Sequence, residues 1–516
     1  VPTEKMLHMS IKNPILPGFY PDPSICKAGD TYYLVNSSFD YFPGIPLFKS
    51  TDLANWQQIG HVLTRESQLS LKRQRAFPVS QGIYAPTIRY HEGRFYVITT
   101  NMSTMQTFFT WTDDPTKEWS EIVVLEGFIG YDPSLFFDDD GSVYLTAAAL
   151  PWPGVSEEGI IQARINLETG QLLEKPIYIW YGSGSSSPEG PHLFKKDDWY
   201  YLTAAEGGTE FGHMQTIARS EDPFGPFENN PNNPIVSNRS TNLPLQAVGH
   251  ADFVETDSGE WAAVMHGIRP FNSHKAHHLG RETLLAPVTW TKVGWPIIGN
   301  NGRVEVTHEW GHASTNQQDE AWTDVFDGGS FQHQWNTRGN LPANCWSMEN
   351  GLKLTGNAAD LNSVMEPPVL IGCRQKHKDC KVSVLFNFEP TRDGEEAGIT
   401  IFMNEQFHYD LFKAKQNDQQ VIVLRKQIGD IQHIEKVIAV STVEGTIFIE
   451  ATPEKYTWFY QENGGKRIEL GSGEARLLAK EIAGGFTGVY IGMYATGNGQ
   501  PADSDAIFHS FTYIGN

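Results

Sequence analysis

The chain has 516 residues, with 61 Asp and Glu against 39 Lys and Arg, a formal net charge of −22. A negative field of that size repels phosphate backbones and anionic lipids, so neither nucleic acid nor a membrane surface is an expected partner. No run approaches the ~18 consecutive apolar residues of a membrane span, and the length exceeds what one hydrophobic core serves, so two domains are expected.

In chain order, the first predicted element is "PDPSICKAGDTYYL" (21–34), an acidic Asp-Pro turn followed by strand, Gly-rich turn and strand. The same design returns as "APTIRYHEGRFYV" (85–97), "DPSLFFDDDGSVYL" (132–145), "EGPHLFKKDDWYYL" (189–202) and "HADFVETDSGEWAAV" (250–264). Counted from Pro23, Pro86, Pro133, Pro191 and Ala251, the copies begin 63, 47, 58 and 60 residues apart. Each carries an aromatic on its second strand: Tyr33, Tyr96, Tyr144, Tyr201 and Trp261. That spacing suits about four strands per unit. With no helical periodicity between copies, the reading is an all-β chain whose first domain, residues 1–310, is a five-bladed β-propeller. The polar stretch "GHASTNQQDEAW", 311–322, reads as a linker. Alternating segments such as "CKVSVLFNFEP" and "GTIFIEATPEKYTWFYQE" then make residues 323–516 a β-sandwich.

In a propeller, equivalent positions of different blades converge on one axis. The residue before the repeat proline is Asp22, Ala85, Asp132, Gly190 (with Glu189 beside it) and His250. An isolated Asp-Pro ordinarily shapes a turn, a lone Glu after "GSGSSSP" ordinarily faces solvent, and a lone His ordinarily packs in a core. Equivalent placement in five repeats outweighs those readings and delivers three carboxyls and an imidazole to one mouth of the channel. Glycosidic hydrolysis needs one protonated carboxyl and one ionised carboxylate across the scissile bond, and a third carboxylate can raise the acid's pKa. The adjoining "DDD" run, 138–140, falls on a hairpin turn away from the channel.

The ordered set "NPILPGFYPDPSI", "YAPTIRY", "YDPSLF", "SPEGPHLF", "EGGTEFGH", "GHADF" and "HHLGRETLLAPVTW" resembles the family-43 glycoside hydrolases of the β-xylosidase and α-L-arabinofuranosidase branch, and the resemblance runs into a concanavalin-A-like, jelly-roll sandwich that closes one side of the active site. It implies an inverting enzyme with Asp22 as general base, Glu189 as general acid and Asp132 as the carboxylate tuning that acid. It further implies that Arg281 binds sugar hydroxyls, that Phe39, Tyr84, Ala85 and Thr209 line the pocket, and that Phe508 in "AIFHSFTY" reaches its rim. Tyr84 stands where the family often has Trp, which alters the pocket wall. His250 matches an axial histidine below the sugar that can face an ion, often Ca²⁺ and mostly through water. No cofactor is required for the chemistry. The histidines of "HKAHH", 274–278, have no counterpart and read as a solvated loop.

The leading function is exo-release of single D-xylose units from the non-reducing ends of xylo-oligosaccharides. The alternative is an α-L-arabinofuranosidase acting on arabinoxylan or arabino-oligosaccharides. A non-catalytic carbohydrate-binding propeller has no use for three carboxylates, and the "NDPN" motif of five-bladed fructan hydrolases is absent. Homo-oligomerisation is open. Four cysteines (Cys26, Cys345, Cys373, Cys380) match no zinc spacing and are too few for a disulfide scaffold. The sequons at Asn36 and Asn101 sit at predicted strand ends and read as chance matches. The expected location is cytoplasmic, with a secreted chain that has lost its signal as the alternative.

Overall fold

The computed structural model describes residues 9–74, 80–151, 154, 156–271, 275–311 and 318–516. Each repeat copy becomes the inner two strands of an antiparallel sheet. These inner pairs are Ser24–Ala28 with Thr31–Val35, Thr87–His91 with Arg94–Asn101, and Tyr131–Phe137 with Val143–Ala148. The last two are Glu189–Lys196 with Trp199–Glu206 and Gln246–Glu255 with Trp261–Ile268. Successive innermost strands touch around a ring, and Ser24–Ala28 touches Gln246–Glu255 to close it. The seams are apolar: Ile25, Leu34 and Phe48 of the first blade share a core with Val254, Val264 and Leu285 of the last.

Closure also rests on polar groups buried at that seam. Asn13 donates to the carbonyls of Leu285 (2.9 Å) and Glu305 (3.0 Å) and accepts the Leu285 N–H (2.9 Å). Asp252 accepts the Ser24 hydroxyl (2.7 Å), the Ile25 N–H (3.1 Å) and an Arg89 N–H (2.8 Å), joining three blades through one carboxylate.

The repeat has a backbone origin. Asp22 (φ 51°), Asp132 (φ 49°), Gly190 (φ 58°) and His250 (φ 58°) all occupy the left-handed region, and Ala85 of the second copy does not. Asp and Gly tolerate that region better than most residues. The register slips at three of these points, between Tyr131 and Ser134, Glu189 and His192, and Gly249 and Asp252. Such bulges re-aim side chains, here at the mouth of the channel.

The second half is a sandwich of two eight-stranded sheets around one large core. Its boundary differs from the expected one in two ways. Glu320–Asp324 already pairs with the final strand Asp505–Gly515, so the sandwich begins inside the stretch read as linker, of which 312–317 lie outside the described residues. In addition, Tyr41–Phe42 leaves the first blade to pair with Asn336–Arg338 at the edge of a sandwich sheet. Two-residue strands carry no periodicity, so pattern alone misses the exchange.

The histidines of 274–278 are corrected as well. His274 lies outside the described residues, but His277 and His278 are buried. His277 pairs with Glu481 (2.6 Å), and its carbonyl accepts the Lys480 N–H (2.9 Å), so this loop is a seam between propeller and sandwich. The amide nitrogens of Asn36, Asn101 and Asn238 (the last in a third Asn-x-Ser match, 238–240) are buried donors to backbone carbonyls, which leaves none free for a glycan.

Asn13→Ala removes three bonds at the closing seam, two of them buried, and leaves the Leu285 N–H without its partner. It is expected to lower stability by about 2–4 kcal/mol, read as an earlier denaturant midpoint.

Candidate active site

Asp22 is the most heavily engaged group on the axis. Its Oδ1 accepts Arg281 Nη1 at 2.9 Å, its Oδ2 accepts the Ser37 hydroxyl at 2.6 Å, and His250 Nδ1 lies 3.5 Å from Oδ1. Burial alone would raise its pKa, but the Arg281 charge, with His250 beside it, holds the carboxyl well below its usual range. Asp22 is therefore ionised.

Behind it runs a chain of imidazoles whose tautomers follow from their partners. His213 Nδ1 lies 2.7 Å from the Gly208 carbonyl and must donate, so its Nε2 accepts from His266 Nε2 at 3.1 Å. His266 Nδ1 then accepts the Asp22 backbone N–H at 3.1 Å. Burial holds both rings neutral, His266 down to about 3 and His213 well below its ordinary value. With Nδ1 acting as acceptor, its 3.1 Å approach to Asp22 Oδ1 is a packing contact rather than a hydrogen bond.

Asp132 and Glu189 form the opposite pole. Burial raises both carboxyls, the Glu189 and Asp22 charges raise Asp132 further, and the Asp22 charge raises Glu189, so the pair retains a proton near neutrality. Asp132 Oδ2 accepts the Gly190 N–H at 3.0 Å, a bond that favours its ionised form. Glu189 is pushed up to about 7 by burial and then by the Asp22 charge, so it too holds a proton into the neutral range. Gly190 is required at this point. Its φ is positive, and a Cβ there would lie 2.6 Å from the His250 ring.

Arg281 reaches three sides of the pocket: Asp22, the Thr209 hydroxyl (3.4 Å) and the Phe486 carbonyl (3.4 Å). Its guanidinium stands 5.8 Å from the Phe39 ring and 5.7 Å from that of Phe486. Phe39 packs against Tyr84 (5.1 Å) and stacks with Phe486 (5.8 Å), and Tyr84 donates its hydroxyl to the Ser80 carbonyl (3.1 Å). Ala85 is buried beside it.

The structure thus brings together Asp22, Asp132, Glu189, His250, Arg281, Thr209, Phe39 and Tyr84. It does not bring Phe508, which lies in the sandwich core stacked on Phe386 at 5.5 Å. Along Asp505–Gly515 alternate residues face inward, and Phe508 is one of them. The sandwich phenylalanine at the pocket is Phe486, placed by its N–H on Ser80 Oγ at 2.9 Å. Its only sequence signal is a Gly-Gly turn ahead of an aromatic in "AGGFTGVY". His266 and His213 were also missed, because each looks like an ordinary strand or loop residue until the blades close.

Asp22, His250 and His266 place one carboxylate oxygen and two imidazole nitrogens within 4.8 Å of one another. They do not fit directly bound Ca²⁺, which takes six to eight oxygens. The His266 Nδ1 lone pair is also occupied, and Arg281 already supplies the positive charge on Asp22.

The description "Glycosyl hydrolases family 43" matches residues 11–296, and "Beta xylosidase C-terminal Concanavalin A-like domain" matches 323–514. A non-reducing end α-L-arabinofuranosidase of Bacteroides ovatus is 38% identical over 98% of this chain and 94% of its own. A xylosidase/arabinosidase of Butyrivibrio fibrisolvens is 37% identical, over 97% of this chain and 98% of its own. Among solved structures, Bacteroides ovatus Xyloglucan PUL GH43B superposes with a TM-score of 0.90 at 38% identity, covering 98% of this chain and 99% of that one.

Glu189 binds its proton more tightly folded, at about 7, than unfolded, near 4.5. Between those values the folded state holds more protons, so this stabilisation is complete below 4.5 and is lost as pH rises through 7. Glu189→Gln is therefore expected to be more stable than the parent at pH 8, by on the order of 2–3 kcal/mol, with the gap closing below pH 4.5. Melting curves across that range check it.

Proposed function

The chain belongs to glycosyl hydrolases family 43, and on that footing we propose that it removes single pentoses from non-reducing ends by one inverting displacement. One observation carries the reading: a single site holds one carboxylate ionised, Asp22, and one carboxyl whose pKa is pushed up to about 7, Glu189. Environments that push two pKa values apart mark an acid–base pair. Asp22, oriented by Ser37 and Arg281, draws a proton from the attacking water. Glu189 gives its proton to the leaving oxygen on the opposite face of the sugar. Asp132 holds the Gly190 N–H so that the acid is correctly placed. Phe39, Tyr84 and Phe486 supply the apolar wall for one sugar ring, while Arg281 and Thr209 offer donors to its hydroxyls.

The sugar is D-xylose from β-xylo-oligosaccharides in the leading reading. Terminal α-L-arabinofuranose is the second, supported by the names of the Bacteroides ovatus and Butyrivibrio fibrisolvens relatives. Tyr84 at the pocket wall bears on that choice, since its hydroxyl is engaged by the Ser80 carbonyl and its ring packs at a tilt against Phe39. A cytoplasmic location is supported by four buried, unpaired cysteines and by the engaged sequon amides.

Aryl β-D-xyloside and aryl α-L-arabinofuranoside, compared side by side, should both report on this site, and release from neither would overturn the proposal. Asp22→Ala and Glu189→Ala should each fold and lose about 10²–10⁴ in kcat. The rate should fall as pH rises past about 7, where Glu189 loses its proton.

A further inference from the structure

The acid is delivered by an unpromising segment. Residues 181–190, "YGSGSSSPEG", contain three glycines and four serines, a composition with little side-chain packing and a large conformational entropy to restrain. Yet this loop has to place Glu189 closely enough for proton transfer.

One side chain holds its first half. Glu206, at the end of the strand Trp199–Glu206, is fully buried. Its carboxylate accepts the backbone N–H of Ser183 at both oxygens (3.0 Å each) and that of Ser185 at Oε1 (3.2 Å). It also accepts the Thr216 hydroxyl in a short contact. Gly182 (φ 77°) and Gly184 (φ 107°) bend the backbone so that these N–H groups converge, the arrangement that forms an anion nest. Here the resident anion is a side chain. A Cβ on Gly182 would lie 2.5 Å from Glu206 Oε1, so glycine is the residue that admits the carboxylate.

The remaining ties follow in order along the loop. Gly207 N–H donates to the Ser186 carbonyl at 2.8 Å, Glu158 accepts the Ser187 N–H at 2.9 Å, and Asp132 accepts the Gly190 N–H at 3.0 Å. Glu189 is thus bracketed on both sides by carboxylates gripping backbone. Glu206 does not touch the acid. Glu189 pairs with Ala205, so the next residue, Glu206, points to the other face of the sheet.

We propose that Glu206 is a positioning residue for proton donation, acting on Glu189 through the nest at Ser183 and Ser185. The inference rests on the assignment of Glu189 as the acid. A loosened loop should harm the steps that need the acid and spare those that do not. Glycosides of phenol require protonation of the leaving oxygen, whereas those of dinitrophenol leave without it.

The test compares Glu206→Gln with the parent on phenyl and 2,4-dinitrophenyl glycosides, with amide exchange at Ser183 and Ser185 read in parallel. The expected result is a loss of roughly ten- to hundredfold in kcat on the phenyl glycoside, with the dinitrophenyl rate within about threefold, and faster exchange at both amides. Equal losses on the two substrates would reduce Glu206 to a general structural role. Unchanged exchange would refute the clamp whatever the activity, and so separately from the functional reading. If Glu206→Gln fails to fold, Thr216→Val removes one donor to the same carboxylate. It should show the same ordering of substrates at smaller amplitude, and the absence of that ordering would overturn the proposal.

Discussion

Left-handed backbone at the start of an inner strand is the constraint on which the site depends. Most side chains are disfavoured there, yet Asp22, Asp132, Gly190 and His250 all adopt it at equivalent points of four blades. In three of those blades the register of the inner pair slips at this turn, between Tyr131 and Ser134, Glu189 and His192, and Gly249 and Asp252. A propeller already brings such positions together, so a local backbone preference repeated in sequence becomes a cluster in space. The same turn serves different ends in different blades. It presents a carboxylate at Asp22 and Asp132, and it makes room for His250 at Gly190.

Three carboxyls gathered around one axis would repel one another if all were ionised. The structure resolves this by unequal partnering. Asp22 receives the Arg281 guanidinium and a serine hydroxyl and is ionised, while Asp132 and Glu189 are both raised by burial and by neighbouring charge. The imidazoles behind Asp22 are neutral acceptors and donors in series, anchored on the Gly208 carbonyl and ending on the Asp22 N–H. They hold the backbone of Asp22 while its carboxylate takes part in other bonds. A directly coordinated cation would have to displace Arg281 from this arrangement.

The sandwich is part of the site rather than an appendage. It supplies Phe486 to the pocket wall and the Phe486 carbonyl to Arg281, and it seats the loop of His277 and His278 against Lys480 and Glu481. The exchange runs the other way too, since Tyr41–Phe42, two residues past the wall residue Phe39, is a strand of the sandwich sheet. Gly280 and Gly488 meet at this seam with backbone atoms so close that a Cβ on Gly488 would lie 2.4 Å from the Leu279 carbonyl. Propeller and sandwich therefore set the wall of the pocket jointly.

Much of this was legible in the chain itself. Five strand–turn–strand copies with an aromatic at a nearly constant offset specify five blades, because hairpin periodicity is local and survives without knowledge of the fold. The placement of Asp22 and Asp132 before the repeat proline, and of His250 before Ala251 in its place, is equally local. Tertiary structure decided what depends on distant parts of the chain. Phe508 and Phe486 are both sandwich phenylalanines, and only the pairing of Asp505–Gly515 shows that the first faces the core while a Gly-Gly turn carries the second to the pocket. Which of three acids keeps a proton was likewise undetermined in sequence. It depends on Arg281, which lies 259 residues from Asp22 along the chain and 2.9 Å from it in space. Repetition encodes where groups converge, but their charge states follow from desolvation and from neighbours that only the closed ring provides.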